Sequence, residues 1–239
     1  MAQKITLTVS KKEQLTKDIY LVTFRLVTPP TISFQAGQNM MLMIAPASAA
    51  GGPGINRTMS IASPPSSNTE LLMVHDVSPM GPGSKWTVGL RVGDPATIVA
   101  PTGGALSFLP SGRRKVMVAT GTGVAPFRSI MLDAFEKHDT TPMILYWGLR
   151  FEADTYWKDD FDGIAAQHPT FSWHQVLSRP GVTWQGLKGH VTENVLDQEK
   201  ELAESEFYLC GNKAMIEEVR AKLLEQNVLN EQIKTELFF

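Results

Sequence analysis

Gly121-Thr122-Gly123-Val124-Ala125-Pro126 follows the apolar run Val116-Met117-Val118-Ala119 and leads into Phe127, Ile130, Met131 and Ala134 at helical spacing. A strand, a glycine turn and a helix start together make an anion site. The first N–H groups of a helix have no intrahelical acceptor, and the helix dipole favours negative charge there. The expected anion is a phosphate or pyrophosphate. The loop lacks the Lys-Ser/Thr ending of a P-loop, and Pro126 stands where a GxGxxG turn has its third glycine. Proline is sterically comfortable just inside a helix start. Taken alone, the hexapeptide points to a nucleotide without naming one.

Around this loop the chain has two grammars. Behind it, from about Leu109-Pro110-Ser111-Gly112 onward, strands alternate with helical segments. Strands are predicted at Lys115–Ala119, Met143–Gly148, Phe171–Leu177 and Glu206–Cys210. Helices are predicted at Phe127–Lys137, near Tyr156–Gln167, near Glu193–Asp197 and at Ala214–Glu225. This βαβ rhythm implies a parallel sheet with helices on both faces. In front of the loop the apolar residues alternate at period two: Ile5, Leu7, Val9; Tyr20, Val22, Phe24, Leu26; Leu71, Met73, His75, Val77. Met40 to Ile44 is continuously apolar. Pro29-Pro30, Ala36-Gly37, Gly51-Gly52-Pro53-Gly54, Pro64-Pro65 and Gly93-Asp94-Pro95 punctuate these runs. Many short strands so separated predict an antiparallel β-barrel or a sandwich, with one short helix near Ser84–Leu90. The expected organisation is two-domain, residues 1–110 and residues 111–239.

Bulk properties narrow the function. The chain has 239 residues, 43% hydrophobic and 19% charged, as a packed protein does. A net charge of -2 argues against a general nucleic-acid binder. The single cysteine, Cys210, excludes a disulfide framework and any multi-cysteine metal or iron–sulfur site. The five histidines (His75, His138, His168, His174, His190) show no metal-ligand spacing, so no metal is expected. No apolar run is long enough for a membrane span, and no signal-peptide core is evident. A soluble cytoplasmic protein is the expectation.

Several further stretches can carry chemistry, each with a plainer alternative. Arg57-Thr58-Met59-Ser60 opens a strand; the guanidinium could take a phosphate and the serine a ring nitrogen, or Arg57 is simply an exposed arginine. In a strand, Arg57 and Met59 share a face and Ser60 takes the other. Gly81-Pro82-Gly83-Ser84 is a second phosphate cradle or a turn with Ser84 as helix cap. Tyr208-Leu209-Cys210-Gly211-Asn212 ends a strand, where open α/β sheets bind ligands; Cys210 could face a ligand or be small buried filler. Arg150 and Arg179 lie just past two strands. Arginines there suit a 2′-phosphate, the nearby Glu152 and Asp154 suit a free ribose, and surface ion pairing would account for either.

Taken in order, these motifs resemble the ferredoxin–NADP reductase superfamily over nearly the whole chain. Its signature runs R-x-Y-S, G-x-x-S/T, G-T-G-x-A-P, C-G-x-x-x-M and a C-terminal aromatic. Here these are Arg57–Ser60, Gly81–Ser84, Gly121–Pro126, Cys210–Met215 and Phe238-Phe239. The resemblance is closest in style to bacterial reductases and oxygenase reductase modules. It implies an FAD-binding barrel followed by an α/β domain that binds NADP or NAD. It implies that Arg57 holds the FAD pyrophosphate, that Gly83 and Ser84 offer it N–H groups, and that Ser60 sits by flavin N5. Gly121, Thr122 and Gly123 would cradle the nicotinamide dinucleotide, Cys210 and Gly211 would approach its ring, and Phe238 or Phe239 would cover the flavin. Thr58, Met59, His75, Val77, Gly81, Thr120, Pro126, Arg150, Arg179 and Met215 complete the expected cofactor-binding set, with Ser60 and Cys210 as the catalytic pair. Met59 departs from the pattern: it replaces a tyrosine that stacks on the isoalloxazine. A thioether can pack on an aromatic face but cannot donate the phenolic hydrogen bond.

The function expected from this is hydride transfer from NAD(P)H to flavin. Electrons would then pass to a small redox protein, either ferredoxin or flavodoxin, or to an oxygenase component. Two alternatives stand beside it: an electron-transfer subunit of a larger complex, and a reductase that takes flavin as a released substrate.

Overall fold

Period-two alternation in the first hundred residues becomes six antiparallel strands and one helix: β1 (Gln3–Gln14), β2 (Ile19–Thr28), β3 (Asn39–Ala45), β4 (Ile55–Ser60), β5 (Glu70–Asp76), α1 (Pro82–Gly89) and β6 (Pro95–Thr102). The computed structural model describes residues 2–45, 54–104, 106–108 and 111–237. The strands form one sheet in the order β4-β3-β6-β1-β2-β5. Ile5, Leu7 and Val9 of β1, Val22 and Phe24 of β2, and Met40 and Leu42 of β3 point to one core, each at most 2% exposed. Burying an aliphatic or aromatic side chain of this kind contributes about 1.5–3 kcal/mol, which locks the register, because a one-residue slip would turn the whole set outward.

The expected barrel is a curled sheet whose end strands, β4 and β5, meet through a short seam. Ala62 N–H donates to the Leu72 carbonyl (2.9 Å), and Leu72 N–H donates to Ser63 Oγ (3.3 Å). Residues up to Ser107 and Ala125–Ala134 make up this unit.

The second unit comprises Phe108–Val124 and the chain from Phe135 onward. Its elements, with the helix that leaves the glycine loop, are β7 (Arg114–Thr120), α2 (Val124–Glu136), β8 (Met143–Leu149), α3 (Lys158–Gln167), β9 (Phe171–Leu177), β10 (Leu187–Lys188), α4 (Val191–Gln198), β11 (Ser205–Gly211), α5 (Lys213–Glu225) and β12 (Ile233–Leu237). The strands run parallel in the order β10-β9-β8-β7-β11-β12. Val116, Val118, Ile144 and Leu209 pack on one side against Val191 and Val195 of α4 and Val219 and Leu223 of α5. Trp147 faces the other side, where its ring meets Tyr156, just ahead of α3, and Phe161 of α3 edge-on. Continuous apolar runs such as Val116–Ala119 are what a strand covered on both faces requires.

Helix α2 leaves the glycine loop directly, through a 3-10 turn at Gly121–Gly123. Its residues 125–134 group with the first unit. There Ser129 Oγ donates to the Ser63 carbonyl (2.7 Å) and the Arg128 guanidinium to the Ala62 carbonyl (3.2 Å). Three strands go beyond the sequence expectation. β6 is bracketed by Pro95 and Pro101, which read as loop punctuation. β10 has two residues, and β12 alternates over only five. The helix expected near Tyr156 begins at Lys158, after Trp157 at φ 54. Among the described residues no helix is long and apolar enough to cross a membrane, and no group of three His, Cys, Asp or Glu residues could hold a metal ion.

Candidate functional site

In the second unit the candidate site grows from the carboxyl ends of β7 and β11, which are neighbours in the sheet. Thr120 closes β7, and its Oγ1 accepts the Asn212 N–H at 2.9 Å. Gly121 follows with φ 53. Its carbonyl accepts Trp147 Nε1–H (2.9 Å) and the Tyr156 hydroxyl (3.3 Å), so the turn is held from β8 and from the segment after it. Gly123 lies against the Cys210 carbonyl, and Gly211 at φ 135 lies against Thr120. A Cβ on Gly211 would sit 2.3 Å from Thr120 Oγ1. Two main chains thus run side by side with no room for side chains, as a backbone cradle for a phosphate or a flat ring requires. That geometry fits a dinucleotide.

Cys210 is fully buried beside this cradle. Burial, and then the Glu236 carboxylate opposite it on β12, push its thiol well above the ordinary range. That shift keeps the thiol protonated at neutral pH. Pro126 falls in the first turn of α2, as expected of a proline near a helix start. Met215 is 7% exposed and sits in the core beneath α5, beside Val219 and Leu223, which is a packing position. Phe238 and Phe239 lie outside the described residues.

In the first unit a second set gathers around α1. Arg57 pairs across the sheet with Leu42, and Met59 with Met40. Met59 therefore turns toward the barrel core, against which it packs half-buried, as Ile44 and Trp86 also do. Ser60, opposite Asn39, takes the other face and is 4% exposed. Thr58 is exposed opposite Met41. The Arg57 stem lies against Gly83, where a Cβ would come 3.2 Å from Arg57 Cγ, and its guanidinium donates to the Asn56 carbonyl at 2.8 Å.

Helix α1 starts at the N-cap Gly81, with no side-chain cap and no acid in its first turn. Ser84 is inside the helix instead of capping it, and its hydroxyl donates back to the Pro79 carbonyl (3.3 Å). The N–H groups of Gly83 and Ser84 face the helix entrance with no intrahelical acceptor, next to a guanidinium. Those donors suit a pyrophosphate. His75 Nδ1 is 2.8 Å from Thr87 Oγ1, tying β5 to α1. Burial, and then the Arg57 charge, lower its pKa. Val77 is buried and donates its N–H to the Asp18 carbonyl.

Arg150 directly follows β8 and Arg179 lies just past β9, the strands next in line. The Arg179 N–H donates to the Arg150 carbonyl (2.9 Å), which joins their two loops. Glu236, Trp147, Tyr156 and Thr87 join the site without having stood out in the sequence. Only the alternation of Ile233–Leu237 hinted at the strand that carries Glu236; the others are single residues with no local pattern.

Comparison with known proteins follows the same division. A family model described as an oxidoreductase NAD-binding domain matches residues 117–221. The F subunit of the Na(+)-translocating NADH-quinone reductase of Shewanella denitrificans is 31% identical over 180 residues, 72% of this chain and 42% of that protein. Its counterpart in Neisseria meningitidis is 32% identical over 65% of this chain and 40% of its own length. The matches thus span about two fifths of these curated relatives. Among solved structures, the Amycolatopsis cytochrome P450 reductase GcoB superposes with a TM-score of 0.89 at 26% identity, covering 99% of this chain and 70% of that one. A ferredoxin NADP+ reductase of Neisseria gonorrhoeae, with bound FAD and NADP, shares the fold end to end: TM-score 0.82, 22% identity, 100% of both chains.

Proposed function

The chain belongs to the ferredoxin–NADP reductase superfamily of NAD(P)H-dependent oxidoreductases, and from that premise we propose that it binds FAD on its first unit and a nicotinamide dinucleotide on its second, and passes electrons from the coenzyme to a one-electron acceptor. The observation that carries the reading is the glycine-only approach of Thr120–Gly123 to Cys210–Gly211. Bound FAD would supply the chemistry, by accepting a hydride at N5 and releasing electrons singly.

The protein's part is placement. Arg57 and the α1 entrance neutralise a pyrophosphate, and Ser60 offers a hydroxyl. The cradle orients the nicotinamide dinucleotide, and the protonated Cys210 fills space without introducing charge. Hydride transfer needs no general base, so the reaction requires no nucleophile–base pair. Acceptors of the proposed kind are ferredoxin, flavodoxin or an oxygenase component.

A second reading, a component that is active only within a larger complex, is favoured by the likeness to the quinone reductase subunits. The purified protein should be yellow, keep its colour on dialysis and bleach anaerobically on adding NADH or NADPH. Failure to take up FAD would overturn the main reading. Flavin that washes out on dialysis points to flavin as a substrate. Turnover with soluble acceptors that appears only after a partner is added points to the complex.

A further inference from the structure

Steric packing does not set the orientation of the Gly121–Thr122 peptide. Gly123, two residues on, is wedged against the Cys210 carbonyl, where a Cβ would come within 2.3 Å. Around Gly121 nothing lies within 4 Å of a missing Cβ, and its φ is +53. Glycine takes many backbone conformations at little steric cost. Hydrogen bonds must therefore fix this peptide.

Two side chains supply them. The Trp147 indole N–H donates to the Gly121 carbonyl at 2.9 Å, and the Tyr156 hydroxyl donates to the same oxygen at 3.3 Å. We propose that Trp147 and Tyr156 are positioning residues for the coenzyme, which draw the Gly121 carbonyl inward and so aim the Thr122 N–H at the phosphate. The inference rests on the nucleotide-binding reading above. In a trans peptide the C=O and the following N–H point in opposite directions. With the carbonyl drawn to the two rings, the Thr122 N–H points away from them. It belongs to the 3-10 turn at Gly121–Gly123 that runs into α2, where the first N–H groups have no intrahelical acceptor. A carbonyl turned the other way would present its oxygen to the same anion and repel it. Two donors on one oxygen use both of its lone pairs and hold it inward.

The donors themselves are fixed in place. Trp147 is fully buried and Tyr156 is 5% exposed. Their rings meet edge-on with centroids 4.8 Å apart, and the buried Phe161 of α3 meets the Trp147 ring at 5.8 Å. Trp147 comes from β8 and Tyr156 from the segment just ahead of α3, so two separate elements of the second unit converge on one backbone oxygen. Packing alone calls for the rings; it does not call for both polar heads on the same acceptor.

The test separates the heads from the rings. NADP+ and NAD+ are titrated calorimetrically into the full chain, a measurement that needs neither flavin nor turnover. Tyr156→Phe keeps the ring and removes one donor. It should weaken both coenzymes roughly two- to tenfold, the worth of a hydrogen bond. The factor should be the same for each, because the turn meets the pyrophosphate they share. Adding Trp147→Phe should weaken both further; if that double variant does not fold, Tyr156→Phe alone decides. FAD affinity, read by flavin fluorescence, should stay at the native value. NMR relaxation of the coenzyme-free chain should show a more mobile Thr122 amide in Tyr156→Phe than in the native chain. Native coenzyme affinity in Tyr156→Phe, an unaltered Thr122 amide, or an equal fall in FAD affinity would overturn the positioning role and leave coenzyme binding by the native chain intact. A native chain that binds neither NADP+ nor NAD+ would remove the underlying reading and this inference with it.

Discussion

A methyl group built on Gly123 would lie 2.3 Å from the carbonyl oxygen of Cys210. Neither partner can yield cheaply, because one is a tight turn and the other the end of a central strand. Gly123→Ala should therefore destabilise the chain by about 1–3 kcal/mol, the usual cost of overpacking, and abolish NADP+ binding. Gly121 makes the useful contrast. Nothing lies within 4 Å of its missing Cβ, but its φ is +53. Gly121→Ala should cost about 1–2 kcal/mol through the left-handed backbone alone. Urea melts and coenzyme titration of both variants check this; a Gly123→Ala protein that binds normally would contradict the close approach.

The Arg57 guanidinium rests on the Asn56 carbonyl, a backbone group of its own strand. Replacing Arg57 by alanine should leave stability within about 0.5 kcal/mol, as for most surface positions. FAD affinity should fall roughly ten- to hundredfold, the worth of a hydrogen bond to a charged group. Flavin fluorescence titration reads the second quantity and a denaturant melt the first.

The alternation at Ile5, Leu7 and Val9 and the apolar run at Val116–Ala119 were enough to separate an antiparallel half from a parallel one. Each is a local pattern set by which faces are buried. What escaped depends on pairing across distance. β6 sits between β3 and β1, where backbone bonds override the prolines at its ends. Glu236 gains meaning only because β12 lies beside β11 and sets it opposite Cys210. The glycine turns at Gly81–Ser84 and Gly121–Gly123 were legible because glycine spacing and helix starts are local. The bond from Gly181 N–H to Glu152 was not, since it joins two loops that meet only in the fold.

Lys115 and Glu206 offer a test of stability within the second unit. Lys115 Nζ, its side chain 2% exposed, is 2.7 Å from Glu206 Oε2 and 2.7 Å from Ser111 Oγ. Removing one partner leaves a buried charge, so Lys115→Met should cost about 3–5 kcal/mol. The double variant Lys115→Met with Glu206→Leu should recover much of the loss. Burial raises the Glu206 pKa, but bonds from Lys115, Ser111 and Tyr208 outweigh it and the net shift is downward. A depressed carboxylate contributes stability above its unfolded pKa of about 4.3 and loses it as pH falls through the lower folded value. Urea melts across that acid window should show a flatter fall for Glu206→Gln than for the native chain.

His75 predicts a second pH effect. Its pKa lies below 6.5 through burial and the Arg57 charge. Between the folded value and 6.5 the unfolded chain binds more protons, so stability must drop as pH falls through that interval. His174, lowered by burial, adds in the same sense. His75→Gln should shrink the difference in urea midpoint between about pH 7.5 and about pH 5.5. An unchanged difference would mean that His75 is not held neutral by its surroundings.

The burial of Cys210 has a practical consequence. It is the chain's single thiol, fully buried on β11, the strand between β7 and β12. A thiol-directed dye can reach it only when the packing over that strand end opens, so its labelling rate measures local opening at the cradle. Any ligand that bridges the β7 and β11 turns should slow that reaction in proportion to its occupancy. The molecule therefore carries a built-in chemical clock, able to register coenzyme binding in a colourless, flavin-free preparation.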